Sequence, residues 1–176
     1  ITYNPDGSLL AAGNFDGVVR FWDLTATDPA RAYFDVEGQA SSLQAITFSR
    51  DGSWMVTAGR DVRLLDISST LINSTPVTLG GYENPVSTIR VSRDSRWLVT
   101  LDNDTALRVW DLLSPQPSAS PISLRVHSGY GSITALATSP TKNHWLAISG
   151  GNGVSLWDLT VRDFQISPIF LSDQNV

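Results

Sequence analysis

An all-β chain of four repeated antiparallel sheets is what this sequence predicts, on three observations. An apolar–aromatic–Asp–apolar cassette occurs as Phe21-Trp22-Asp23-Leu24, Val109-Trp110-Asp111-Leu112 and Leu156-Trp157-Asp158-Leu159, with a fourth copy, Leu64-Leu65-Asp66-Ile67, that lacks the aromatic residue. From Trp22 through Leu65 and Trp110 to Trp157 the steps are 43, 45 and 47 residues, a period that marks closed or stacked repeats. No stretch carries apolar residues at helical spacing over ten or more positions, so the repeat unit is built from strands.

Each unit has the same internal order. A first strand is expected at Ile1 to Tyr3, Leu43 to Phe48, Val86 to Val91 and Ile133 to Ala137. The turns that follow are Asn4-Pro5-Asp6-Gly7, Ser49-Arg50-Asp51-Gly52, Ser92-Arg93-Asp94-Ser95 and Ser139-Pro140-Thr141-Lys142. Pro presets φ at the second turn position, while Asp and Gly supply local hydrogen bonding and positive φ. Second strands are expected at Ser8 to Ala12, Ser53 to Ala58, Arg96 to Leu101 and His144 to Ile148. After another tight turn, third strands carry the cassette at Val18 to Asp23, Val62 to Asp66, Ala106 to Asp111 and Val154 to Asp158. Fourth strands are expected at Arg31 to Val36, Pro76 to Leu79, Pro121 to Arg125 and Pro168 to Leu171. Pro at the start of a strand fits an outer edge, where no ladder donor is missed. Sixteen short strands in four such units, set radially, make a β-propeller. The units divide the chain at about 1–37, 38–80, 81–126 and 127–176.

These residues carry a family resemblance. Asn4-Pro5-Asp6-Gly7, Asn14-Phe15-Asp16-Gly17 and Val18-Val19-Arg20-Phe21-Trp22-Asp23-Leu24 resemble the WD40 (Trp-Asp) repeat almost position for position, and the resemblance covers essentially the whole chain. It implies a polar relay in each blade, joining a Gly-His before the first strand, a Ser or Thr on the second, an Asp in the second turn and the cassette Trp. Asp16 and Asp104 occupy the Asp position, six residues before Trp22 and Trp110, and Thr100 fits the hydroxyl position of the third unit. Gly38-Gln39 and Gly81-Tyr82 stand where Gly-His is expected, His127 lies two residues out of register, and Gly151 replaces the Asp of the fourth unit. A buried network stabilises only when every member is satisfied, so we expect degenerate blades held by apolar packing and turns more than by the relay. The resemblance also implies a ring of seven or eight blades. The chain opens inside a first strand and closes after a fourth, with no spare strand to seal a ring, and we expect half of such a propeller. The missing blades would be further blades of the same chain or a second copy.

Composition narrows the function. The chain has 176 residues, 41% hydrophobic and 16% charged, as a soluble domain with few charges would. Its net charge of −5 disfavours a nucleic-acid backbone as partner. The 12 basic residues, 11 Arg and Lys142, form no polybasic run, and the apolar runs are far too short to span a bilayer, so no membrane is expected. There is no Cys, hence no disulfide framework or thiolate site. Cytoplasmic location is the expectation.

Asp23, Asp66, Asp111 and Asp158 recur once per unit. Catalysis has no use for four copies of one carboxylate, whereas a turn acceptor does. His127 and His144 stand 17 apart without a second ligand cluster, so no metal is expected. No nucleophile-elbow motif appears, and Gly150-Gly151-Asn152-Gly153 joins two strands rather than entering a helix, so neither catalysis nor a cofactor is expected. Trp22, Trp110 and Trp157 read as core, and Trp54, Trp97 and Trp145 as packing beneath the first turn.

What remains is surface. In the family, partners dock on loops joining fourth to first and second to third strands. Here these offer Phe15, Arg60, Tyr82, Glu83, Asn84, Asp102, Asn103, His127 and Tyr130, among them the Tyr and Arg that dominate interface hot spots. The resemblance therefore implies a non-enzymatic scaffold or sensor that binds a protein or peptide, within a larger multidomain protein. The alternative is a structural half-propeller that completes its ring with a second copy.

Overall fold

The computed structural model describes residues 1–37, 39, 42–68, 75–102, 107–119, 121–124, 133–139, 145–150, 153–159 and 168–171. Sixteen strands form four sheets. The first holds β1 (Thr2–Tyr3), β2 (Leu9–Gly13), β3 (Val18–Asp23) and β4 (Tyr33–Glu37); the second, β5 (Ala45–Phe48), β6 (Trp54–Ala58), β7 (Val62–Asp66) and β8 (Val77–Leu79). The third holds β9 (Val86–Val91), β10 (Trp97–Asp102), β11 (Leu107–Asp111) and β12 (Ile122–Leu124); the fourth, β13 (Ile133–Thr138), β14 (Trp145–Gly150), β15 (Gly153–Asp158) and β16 (Ile169–Phe170). Within each sheet the strands pair in chain order, and every pairing is antiparallel. Pro76, Pro121 and Pro168 each sit one residue before their strand rather than in it, because a residue without N–H donates nothing to the ladder. A 3₁₀ turn at Pro117–Ala119 has no counterpart in the strand pattern.

Side-chain oxygens close the first turns. Asn4 Oδ1 accepts from the Leu9 amide at 2.8 Å, Ser49 Oγ from Trp54 and Ser92 Oγ from Trp97, each at 2.9 Å. The fourth turn position is left-handed, with Gly52 at φ 75° and Ser95 at φ 60°. A non-glycine residue there costs about 1 kcal/mol. The Ser95 hydroxyl accepts the Asp51 amide of the neighbouring sheet at 3.0 Å, so the strained residue ties two sheets together.

The sheets pack face to face in chain order, with first strands innermost: β1 lies beside β5, β5 beside β9 and β9 beside β13. No packing of comparable extent joins β13 back to β1 among the described residues. Three apolar seams result. Ala11, Val19 and Phe21 of the first sheet meet Phe48, Met55 and Leu65 of the second. Val56, Ala58, Val62 and Leu64 of the second meet Leu98, Trp110 and Leu112 of the third. Val99, Leu107 and Val109 of the third meet Leu146, Trp157 and Leu159 of the fourth. At every seam the face carrying the cassette aromatic position covers the opposite face of the sheet before it. Leu65, Trp110 and Trp157 are accordingly 3%, 1% and 7% exposed. Trp22 differs from the expected core residue: it is half-buried, because no sheet packs on its face of the first sheet among the described residues.

Candidate interaction surface

One end of the molecule gathers the β2–β3 and β6–β7 hairpin tips with the described residues of the connectors that enter β5 and β9. In the first tip, Asn14 Oδ1 accepts from the amides of Asp16 and Val18 at 3.0 and 2.9 Å. Gly17 reverses the chain at φ 82°. That clamp leaves Phe15 outermost, 87% exposed, with Asp16 exposed beside it and outside any relay. Arg60 takes the equivalent place on the β6–β7 tip and is exposed. Its neighbour Gly59 bonds across the tip to Asp61 O at 3.0 Å.

The connectors bind these tips to one another. The Gln39 amide donates to Gly17 O at 2.9 Å, and Leu43 N to Asn14 O at 3.4 Å, both in the first tip. The Gln39 side chain turns into the second sheet. Its Nε2 donates to Thr57 O at 3.2 Å, Thr57 Oγ1 at 3.1 Å and Asp61 O at 3.1 Å. Val86 N, entering β9, donates to Gly59 O at 2.7 Å.

In the third sheet Tyr82 plays the corresponding part. Its hydroxyl lies 2.8 Å from Thr100 Oγ1, which also accepts from Trp110 Nε1 at 3.2 Å. Its ring packs 6.2 Å from that of Trp110. The Arg108 guanidinium covers it at 4.5 Å and donates to Gly81 O at 2.7 Å. Arg108 Nη1 sits 3.7 Å from Asp102 Oδ2, a charge contact beyond hydrogen-bond reach. Burial pushes the Tyr82 phenol up to about 12, against the help that Thr100 and Trp110 give its charged form.

The relay is therefore rebuilt rather than lost. Gln39 and Tyr82 stand in the Gly-His position and reach Thr57 and Thr100, so the second and third sheets hold polar links beside the packing and turns expected to dominate. An amide or a phenol reaches the same hydroxyl that an imidazole would.

The sequence-derived surface residues divide accordingly. Phe15, Arg60 and Glu83 are exposed, Tyr82 and Asn84 half-buried and Asp102 buried. Asn103, Asp104, His127 and Tyr130 lie outside the described residues, as does His144. Gln39 was missed as a site residue; its place after Gly38, where the resemblance puts a His, was the available signal. The recurring carboxylates cap the strand ends. Asp23 Oδ1 accepts from Thr25 N and Oγ1 at 2.8 and 2.6 Å, and Asp66 Oδ1 from Ser68 N and Oγ at 2.9 and 2.6 Å. Those hydroxyls and amides hold both carboxyls below the usual range. Asp111 takes the Leu113 amide and the Arg96 guanidinium, and Asp158 ends β15. Among the described residues, no three His, Cys, Asp or Glu side chains are grouped to hold a metal ion, and no helix is long and apolar enough to cross a membrane.

A family model for the WD domain, G-beta repeat, matches residues 1–23 and 73–111, which end on the Trp22-Asp23 and Trp110-Asp111 pairs. Those two segments are WD40 repeats by that match, and the chain as a whole resembles the family. The chain is 25% identical over 165 residues to the target of rapamycin complex subunit LST8 of Mus musculus, across 89% of its own length and 46% of the mouse protein. It is similar in structure to Chaetomium thermophilum Sqt1, solved bound to the N-terminus of ribosomal protein L10, with TM-score 0.70 and 22% identity over 92% of this chain and 45% of that one. It is likewise similar to the Cps50 (Swd1) β-propeller domain of Myceliophteria thermophila, with TM-score 0.70 and 19% identity over 90% and 50%. The four sheets are thus blades of β-propeller type, and the chain spans about half the length of the proteins it matches.

Proposed function

We propose that this chain is a non-enzymatic protein-interaction module, a scaffold or sensor that binds a protein or peptide through the end carrying Phe15, Arg60 and Glu83. The observation that carries this is Phe15. A large aromatic side chain stands 87% exposed on a turn whose backbone is fixed by Asn14. A rigid tip holds its anchor in place before binding, which lowers the ordering cost of association. Arg60 occupies the next tip, and aromatic and Arg side chains are the types that dominate interface energetics. Sqt1 is named for a complex with a protein N-terminus, which is in keeping with a peptide partner here.

In this reading the four blades are half of a seven- or eight-bladed ring within a larger assembly, and the protein works in the cytoplasm, where a cysteine-free fold loses nothing to a reducing milieu. The partner is isolated by affinity capture and crosslinking, then purified and titrated against the chain. Phe15→Ala with Arg60→Ala should weaken that binding at least about 100-fold, the range of two hot-spot residues, with thermal stability unchanged. Equal affinity for the double variant and the parent would sink the proposal. Tyr82 is a poor probe of this surface, because its hydroxyl is committed to Thr100.

A further inference from the structure

The first turns lie at the end of the sheets opposite Phe15, because each second strand runs from the one to the other. Three of them align as Asn4-Pro5-Asp6-Gly7, Ser49-Arg50-Asp51-Gly52 and Ser92-Arg93-Asp94-Ser95. Between the second and third sheets this end is bridged, since the Asp51 amide donates to Ser95 Oγ at 3.0 Å. The equivalent pair between the first and second sheets is Asp6 and Gly52. Gly52 has the same left-handed backbone, φ 75° against 60° at Ser95, but no hydroxyl to offer. The Asp6 amide makes no bond to the second sheet among the described residues. A Cβ placed on Gly52 would meet nothing within 4 Å. One missing side chain thus leaves this seam open at an end where the next seam is tied.

The result is an open groove of about 560 Å³, walled by Pro5 and Asp6 on one side and by Arg50, Gly52 and Ser68 on the other. Past Pro5 and Arg50 a second hollow of about 460 Å³ continues it inward. Both walls belong to sheets that pack on each other, so the groove is distinct from the outer faces of the first and fourth sheets. Its volume is that of a ligand cleft, yet two connected hollows make a track rather than a pit, which suits an extended chain. The acidic and hydroxyl groups along it are engaged by their own turns. Asp6 Oδ1 takes the Ser8 amide at 2.8 Å, and Asp51 Oδ1 takes the Ser49 hydroxyl at 2.6 Å and the Ser53 amide at 3.0 Å. Ser68 Oγ donates to Asp66 at 2.6 Å. Arg50 differs: it is exposed, and its guanidinium has no hydrogen bond or ion pair among the described residues. The turn beneath it is fixed, because Ser49 Oγ accepts the Trp54 amide at 2.9 Å. A guanidinium presented in this way pairs best with a carboxylate, whose two oxygens match its fork.

We propose that this groove is a second docking site, for an extended peptide segment of a protein partner that sets an acidic side chain against Arg50. The site uses neither Phe15 nor Arg60 and stands apart from the surface they form. The Asp6 amide, which Gly52 leaves without a bridge, is placed to give its proton to a backbone carbonyl of the same segment. Charge and main chain are then read together, on walls whose own polar groups need no rearrangement to receive them.

NMR titration of the 176-residue chain with the acetylated, amidated peptide Ala-Ala-Glu-Ala-Ala tests the proposal. Saturable shifts are expected at the Asp6 and Gly52 amides and at Arg50 Nε. The peptide with Gln in place of Glu should bind about tenfold more weakly, and Arg50→Gln should cause the same loss, the worth of one charge-assisted hydrogen bond. Gly52→Ser should install the bridge that Ser95 makes, slow exchange at the Asp6 amide and weaken the Glu peptide by about tenfold or more. Gly52→Ala, with the same backbone demand and no hydroxyl, should bind as the parent does. No saturable shift, equal binding of the two peptides, or parent affinity in Arg50→Gln overturns the proposal. So does acetate that matches the Glu peptide, since a lone anion then suffices, and so does a Gly52→Ser variant with a protected Asp6 amide and parent affinity. Each of these results leaves the binding test on Phe15 and Arg60 intact.

Discussion

Tyr82 reaches across the connector to Thr100, oxygen to oxygen at 2.8 Å. Thr100 Oγ1 also accepts from Trp110 Nε1 at 3.2 Å and has Arg108 O within 3.4 Å for its own proton, an arrangement in which the neutral tyrosine can donate. Thr100 is wholly buried, so its hydroxyl is the acceptor for two groups that have little water to turn to. Thr100→Val should cost about 2–4 kcal/mol, since stranded buried donors cost about 1–3 kcal/mol each. Tyr82→Phe, which removes one donor and strands none, should cost about 1 kcal/mol. Urea titrations followed by Trp fluorescence give both values; equal losses for the two variants would contradict the shared-acceptor arrangement.

The same phenol makes stability fall in alkali. Its pKa is pushed up to about 12 in the folded protein, against about 10 in an unfolded chain. The folded state therefore holds the proton more tightly. The contribution is fully present below pH 10 and is lost as the pH rises from 10 to 12, on the order of 2 kcal/mol in all. Absorbance at 295 nm should show a late-titrating tyrosine that is missing from Tyr82→Phe.

Gly59 should tolerate no side chain. A Cβ there would stand 2.7 Å from Ser42 O, a backbone atom that cannot swing away, and 3.6 Å from Gln39 Cγ. Gly59→Ala should destabilise by about 1–3 kcal/mol, the usual cost of overpacking, and should loosen the Gln39 connector first. Amide exchange at Gln39 and Val86 checks the second point.

The strand-end carboxylates predict behaviour in acid. The Ser68 hydroxyl and amide hold the Asp66 carboxyl below its usual range. A depressed acid contributes stability above its unfolded pKa of about 3.9, and that contribution disappears as the pH falls through the lower folded value. Ser68→Ala should raise the Asp66 pKa, read by NMR titration, and should shift the acid midpoint upward.

Much of the fold was legible because each strand is bounded by residues with a local reason to turn. Val18–Asp23, Val62–Asp66 and Val86–Val91 match the sequence pattern to the residue, since Gly17, Asp61 and Pro85 precede them. Three fourth strands begin one residue later than expected, because Pro belongs just outside the ladder, and the first begins at Tyr33 rather than Arg31. The candidate surface was less legible. Phe15 is exposed for a local reason, the Asn14 turn, which sequence displays. Tyr82 and Asp102 sit inward because of Thr100 and Arg108, partners fixed only once strands pair. The stand-in role of Gln39 depends on Thr57 and on Asp61 O, contacts that no residue-type pattern encodes.

Gln39 holds one tip by its backbone and the next by its side chain. Phe15 and Arg60 are therefore the two points of a caliper set at a fixed opening. If the proposed surface binds a partner, that partner would be selected by whether its own contacts are spaced to match, and loss of the Gln39 link would change the spacing without altering either point.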